Sequence, residues 1–217
     1  MIASRAMSKA ESTVIGLTAG AVCPLLTFVL FWWTAAGLGR ILPIAEGSII
    51  AAALAGLALG IGLDVLCLRR WVSSFYGASM TLLIVVYVAC SIVAVAFFMG
   101  LPLGNLALGT LAGAYVGRRE YHAGATSESS SKSARKASIF TALVTGAEAL
   151  PIGILALRER SVVDLLQQVL RADETIVAGP MGIGLILVLC VVLMGIQFAC
   201  TRVATRWAFG QGRGCAV

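Results

Sequence analysis

Six apolar runs alternate with clusters of arginine and lysine, and this alternation constrains the fold more than any other feature of the chain. The runs cover 13–38, 47–68, 78–99, 103–117, 138–157 and 179–205. A hydrocarbon core of about 30 Å needs roughly 17–25 helical residues, a length that every run meets except the fourth, which reaches it only when extended over its flanks. Lipid offers no hydrogen bonds to a backbone, so a spanning segment must be a helix or a strand of a closed barrel. Strands cross in about 9–11 residues, and these runs are about twice that. The sequence therefore predicts an all-α integral membrane protein, a single membrane domain over 1–217 built as a bundle of six transmembrane helices.

The cations give the runs a direction. If the N-terminus, the second and fourth connections and the C-terminus share one side, that side holds Arg5, Lys9, Arg69, Arg70, Arg118, Arg119, Lys132, Arg135, Lys136, Arg202, Arg206 and Arg213. Only Arg40, Arg158, Arg160 and Arg171 fall on the other. Cytoplasmic flanks are enriched in Lys and Arg, so both ends are expected in the cytoplasm, with the plasma membrane as the expected location. Charged residues make up 12% of the chain, about half the share of a soluble domain. The net charge of +6 thus points to anionic lipid on the cytoplasmic face as the partner, and not to nucleic acid. Cys23, Cys67, Cys90, Cys190, Cys200 and Cys215 lie in or beside the runs without a C-x-x-C pair, and are expected to be small apolar residues. The first run is too long for a signal-peptide core and is expected to remain in the mature protein.

Two segments stand outside the spans. Residues 118–137 combine alternating charges with Ser127, Ser129, Ser130, Ser131 and Ser133, which reads as a polar, mobile cytoplasmic loop with its one histidine, His122, in solvent. Residues 159–173 read as an external amphipathic helix, with Val162, Val163, Leu166, Val169 and Leu170 opposite Asp164, Gln168 and Arg171. Ser161 and Asp164 resemble the start signal of that helix.

Small residues form stripes at helical spacing. Ala52, Gly56, Gly60 and Asp64 recur every four residues in the second run, and Asn105, Gly109, Gly113 and Gly117 in the fourth. Such a glycine zipper lets helix backbones approach closely, inside one protomer or between two. In the first run Gly16, Gly20, Pro24 and Thr27 share one stripe, and Pro24 must bend the helix or be accommodated by a neighbour.

Glu148 lies near the middle of the fifth run. An ionised acid at that depth costs about 2.5–3.5 kcal/mol on insertion scales, so it must face the protein, find a partner or carry a proton. Thr141 and Thr145 share its helical face, and Pro151, lacking an N–H, frees the carbonyl of Ala147. These oxygens form a candidate substrate or ion site, to which Asp64 and Gln197 are added as further polar groups within spans. Asp64 is also placed to pair with Arg118 or Arg119. The alternative for Glu148 is a purely structural hydrogen bond to a neighbouring helix.

Zincin, nucleophile-elbow and P-loop motifs are missing, and no cofactor or metal is expected. Gly60-Ile61-Gly62-Leu63-Asp64 resembles the glycine-rich motif of intramembrane aspartyl proteases, with its aspartate displaced by one residue. In size and topology the chain is broadly similar to the vitamin-binding subunits of energy-coupling-factor transporters. That resemblance implies a small-solute or ion carrier, or the solute-binding membrane subunit of a transporter. The alternatives are an accessory or scaffold subunit, docking a partner subunit or a second copy through its glycine stripes, and an intramembrane enzyme.

Overall fold

The computed structural model describes residues 9–98, 103–170 and 179–214. Arg5, Arg171 and Cys215 lie outside the described residues. Among the described residues all elements are helical: α1 (Lys9–Leu38), α2 (Glu46–Ser74) with a short 3-10 turn (Phe75–Gly77), α3 (Met80–Phe97), α4 (Leu103–His122), α5 (Ser127–Ala156), α6 (Arg160–Leu170) and α7 (Pro180–Gly214). Five of them, α1, α2, α3, α5 and α7, are long and apolar enough to cross a membrane. The fourth run is a helix too, but Arg118, Arg119 and Glu120 in its last turns keep α4 out of that class.

The described residues divide into two compact units, one within 9–93 and the other within 94–214. In the first, α1 and α2 run antiparallel along the small-residue stripe. A Cβ on Gly56 would stand 2.6 Å from the Thr27 carbonyl oxygen, and one on Gly60 would meet the backbone of Pro24 at 2.5 Å. Within α1, Thr27 returns its hydroxyl to the Cys23 carbonyl at 2.9 Å. At the basic end of the pair, the Tyr76 hydroxyl donates to Glu11 Oε1 at 2.5 Å.

The second unit is a three-helix core of α4, α5 and α7. Its connection between α4 and α5 corrects the expected loop over 118–137, which is helical except for a four-residue turn at 123–126. The turn closes α4 with a Schellman arrangement: the Ala125 amide donates to the Glu120 carbonyl at 3.0 Å and the Gly124 amide to the Tyr121 carbonyl at 3.1 Å. Gly124 takes the left-handed φ of 68° that this cap requires. Thr126 then caps α5 by accepting the Ser129 amide at 3.3 Å. The serines and charges that suggest a loop are satisfied locally instead, Lys132 pairing with Glu128 at 2.8 Å and Ser133 donating to Glu120 at 2.8 Å. His122, expected in solvent, is buried, its ring edge-on to Tyr121 at 5.4 Å between centroids.

Helix α6 begins at Arg160, with the Glu159 carbonyl taking its first amide bonds, so the start lies ahead of the expected Ser161 signal. Val163 is buried and Asp164 and Gln168 are exposed, but Val169, assigned to the apolar face, is 70% exposed. Of the five described cysteines, all free thiols, Cys190 is buried and the other four are half-buried.

Candidate functional site

The core of the second unit is polar and its outside is apolar. Leu143, Ile154, Val188, Val191 and Val203 project outward from α5 and α7, while Ser138, Thr145, Asn105, Gln197, Thr201 and Thr205 have 0% exposure. This inverts a soluble domain, in which buried residues are mainly aliphatic. Helices in lipid gain nothing by hiding leucine, so close fit and polar contacts set which faces meet.

The helices hold these groups in a common register. Helices α4 and α7 run parallel, with Gly109 against the Gln197 amide, Gly113 against Thr201 and Gly117 against Thr205. Helix α5 is antiparallel to both: Thr141 and Thr201 share a hydroxyl hydrogen bond at 2.9 Å, Gly146 faces Met194 and Gly153 faces Ile186. Asn105 of α4 donates its side-chain amide to Glu148 of α5. The result is a column of polar side chains. Thr205 and Thr201 occupy its basic end with Ser138 and Thr141. Thr145 and Gln197 come next, and Asn105 and Glu148 lie about one 5.4 Å turn beyond them.

Several of these groups lack a full set of partners. Both amide atoms of Gln197, Oδ1 of Asn105 and Oγ1 of Thr145 are buried without a hydrogen-bond partner among the described residues. Each such atom costs about 1–3 kcal/mol. By contrast, Ser138 and Thr205 return their hydroxyls to carbonyls of their own helices, both at 2.8 Å. Among the column's own side chains the unpaired atoms are thus confined to the two levels nearest Glu148, while Arg202 Nε, next to Thr201 on α7, is a further buried atom without a hydrogen-bond partner.

Thr141, Thr145, Glu148 and Gln197 all fall on this column, and Asn105, assigned from the sequence to packing, is the partner of Glu148. Ala147 does not join them. It is exposed, about 200° around the helix from Thr145, so the carbonyl freed by Pro151 is on another face. Thr201, Thr205 and Ser138 went unassigned in the sequence, although the four-residue spacing of Gln197, Thr201 and Thr205 places them on one stripe.

Asp64 belongs to the other unit. It is 7% exposed, its Oδ1 has no hydrogen-bond partner, and it stands at a groove of about 570 Å³ between α1 and α2 lined by Gly20, Pro24, Ile61, Leu68 and Arg69. Asp64 is the one acid among the described residues lining that groove, so a paired-aspartate reaction has no second carboxylate there.

Comparison with family models, with curated proteins and with solved structures gives no match, so the functional reading rests on the residues themselves.

Proposed function

We propose that the protein is a carrier of a small polar solute or ion, or the solute-binding membrane subunit of a transporter, with the column around Glu148 as its site. The observation that supports this is the set of fully buried, unpaired polar atoms of Asn105, Thr145 and Gln197 beside a carboxylate, inside helices whose outer faces are apolar. A solute leaving water needs groups that replace its hydration. A merely structural column would have closed these bonds internally, as Thr141 and Thr201 do. The scaffold reading has less to draw on, because the glycine faces it needs are already filled: Gly56 and Gly60 by α1, Gly113 and Gly117 by α7.

Uptake into proteoliposomes, over a panel of small polar solutes and monovalent cations, tests the reading. Glu148→Gln is expected to lower flux about tenfold or more, the loss of roughly 1.4 kcal/mol of binding or barrier energy, while the protein stays monodisperse. Unchanged flux in that variant removes Glu148 from the mechanism.

We place the basic ends of the helices in the cytoplasm against anionic lipid, with six crossings in all, α4 supplying the sixth. Arg118, Arg119, Lys132, Arg135, Lys136, Arg202 and Arg206 gather at one end of the three-helix core, where α4 and α7 finish and α5 starts. In a background with the native cysteines replaced, Ser129→Cys should react with an impermeant maleimide only after the cells are opened. Labelling in intact cells would reverse the orientation.

A further inference from the structure

The unpaired atoms near Glu148 share a chemistry. Apart from Gln197 Nε2 they are oxygens: Asn105 Oδ1, Thr145 Oγ1 and Gln197 Oε1, each on a residue with 0% exposure. They come from three helices and from two adjacent levels of the column. Glu148 adds a carboxylate, held at the Asn105 level by the amide N–H that Asn105 donates. Three neutral oxygens and one carboxylate are hard ligands, suited to a hard cation. One negative charge balances one positive charge. A divalent ion on the same set would leave a net charge in a low-dielectric interior, which is costly, and such ions favour sites richer in carboxylate or retained water. Soft metals would need thiolate or imidazole, and none of these four residues supplies either. A proton on Glu148 alone would leave the three neutral oxygens unpaired.

We propose that Asn105, Thr145, Glu148 and Gln197 form a binding site for one dehydrated alkali-metal cation of sodium type, an assignment that rests on the carrier reading and names its coupling or cargo ion. Coordination by the Gln197 and Asn105 side-chain oxygens fixes which end of each amide faces the ion. Asn105 already points its nitrogen at Glu148, which leaves its oxygen free to coordinate. The Gln197 amide is held over Gly109, where any Cβ would displace it. Glycine at 109 thus makes room for a ligand as well as for helix contact.

Equilibrium binding of radioactive sodium to the purified full chain in mild detergent, with choline as the replacement cation, tests the site. Saturable binding is expected, abolished by Glu148→Gln and weakened about tenfold or more by each of the near-isosteric changes Thr145→Val and Gln197→Met. The melting temperature of the unaltered protein is also expected to rise with sodium and not with choline, a readout that needs no variant to fold. No saturable binding by folded protein, no sodium-specific shift, or undiminished binding in both near-isosteric variants overturns the proposal. Solute flux without sodium binding overturns the cation and leaves the carrier. Sodium binding without any flux overturns the carrier and leaves the site.

Discussion

Gly113→Leu is expected to abolish the folded protein. A Cβ at 113 would overlap the Thr201 carbonyl group, with the Thr205 hydroxyl only 3.1 Å away, and the first of these is backbone. No rotamer change relieves it, so α4 and α7 must separate. Overpacking a tight site by a methylene or two costs about 1–3 kcal/mol when neighbouring side chains can shift. Here a whole isobutyl group meets main chain, and separation would leave the Thr141 and Thr201 pair without its packing. Gly195→Leu is the matched control, since Gly195 is exposed on α7 with nothing within 4 Å of its Cβ position. Size-exclusion chromatography in mild detergent should give a monodisperse peak for the control and only aggregate for Gly113→Leu. Equal behaviour of the two would show that the backbone approach of α4 and α7 is wrong.

Gln197→Met should separate stability from function. The change keeps chain length and approximate volume, which cores tolerate at less than about 1.5 kcal/mol. It also removes two buried polar atoms that have no partner. In sodium-free buffer the variant is expected to resist unfolding by SDS at least as well as the parent, with a gain of about 1 kcal/mol. Buried polar contacts between membrane helices average only about 0.6 kcal/mol, because the separated helices also find partners, so a larger gain is not expected. Flux should nevertheless fall about tenfold or more. A variant that is both destabilised and fully active would identify Gln197 as packing glue. Residues that serve a site at the expense of stability behave in the way expected here.

The apolar runs were enough to give an all-helical fold with helices able to cross a membrane, because lipid solubility depends on local composition; they did not give every end, since α5 starts at Ser127 and α7 runs on to Gly214. The run at 13–38 becomes α1 at Lys9–Leu38, and that at 78–99 becomes α3 at Met80–Phe97. Glu148 was legible for the same reason: a charge in an apolar run is a local anomaly. Its setting was not. Asn105 meets Glu148 across 43 positions of sequence, and no pattern within either helix announces that pairing. The segment 118–137 was misread because serine and charge signal solvent, and they do so whether the backbone is coil or capped helix. The decisive residues there are Gly124 and Thr126, whose cap geometry depends on φ and on one hydrogen bond. Pro151 does free the Ala147 carbonyl, but the loss of a bond carries no direction, and Ala147 is exposed on a face turned away from Thr145.

The Schellman cap at Gly124 and the Thr126 cap make α4 and α5 a stiff hairpin instead of two rods on a slack tether. Ser129, near its tip, stands about 28 Å along α5 from Glu148. A helix resists bending over that span, so a displacement imposed at the serine-bearing tip is carried to the Asn105 and Glu148 level as the tilt of a lever.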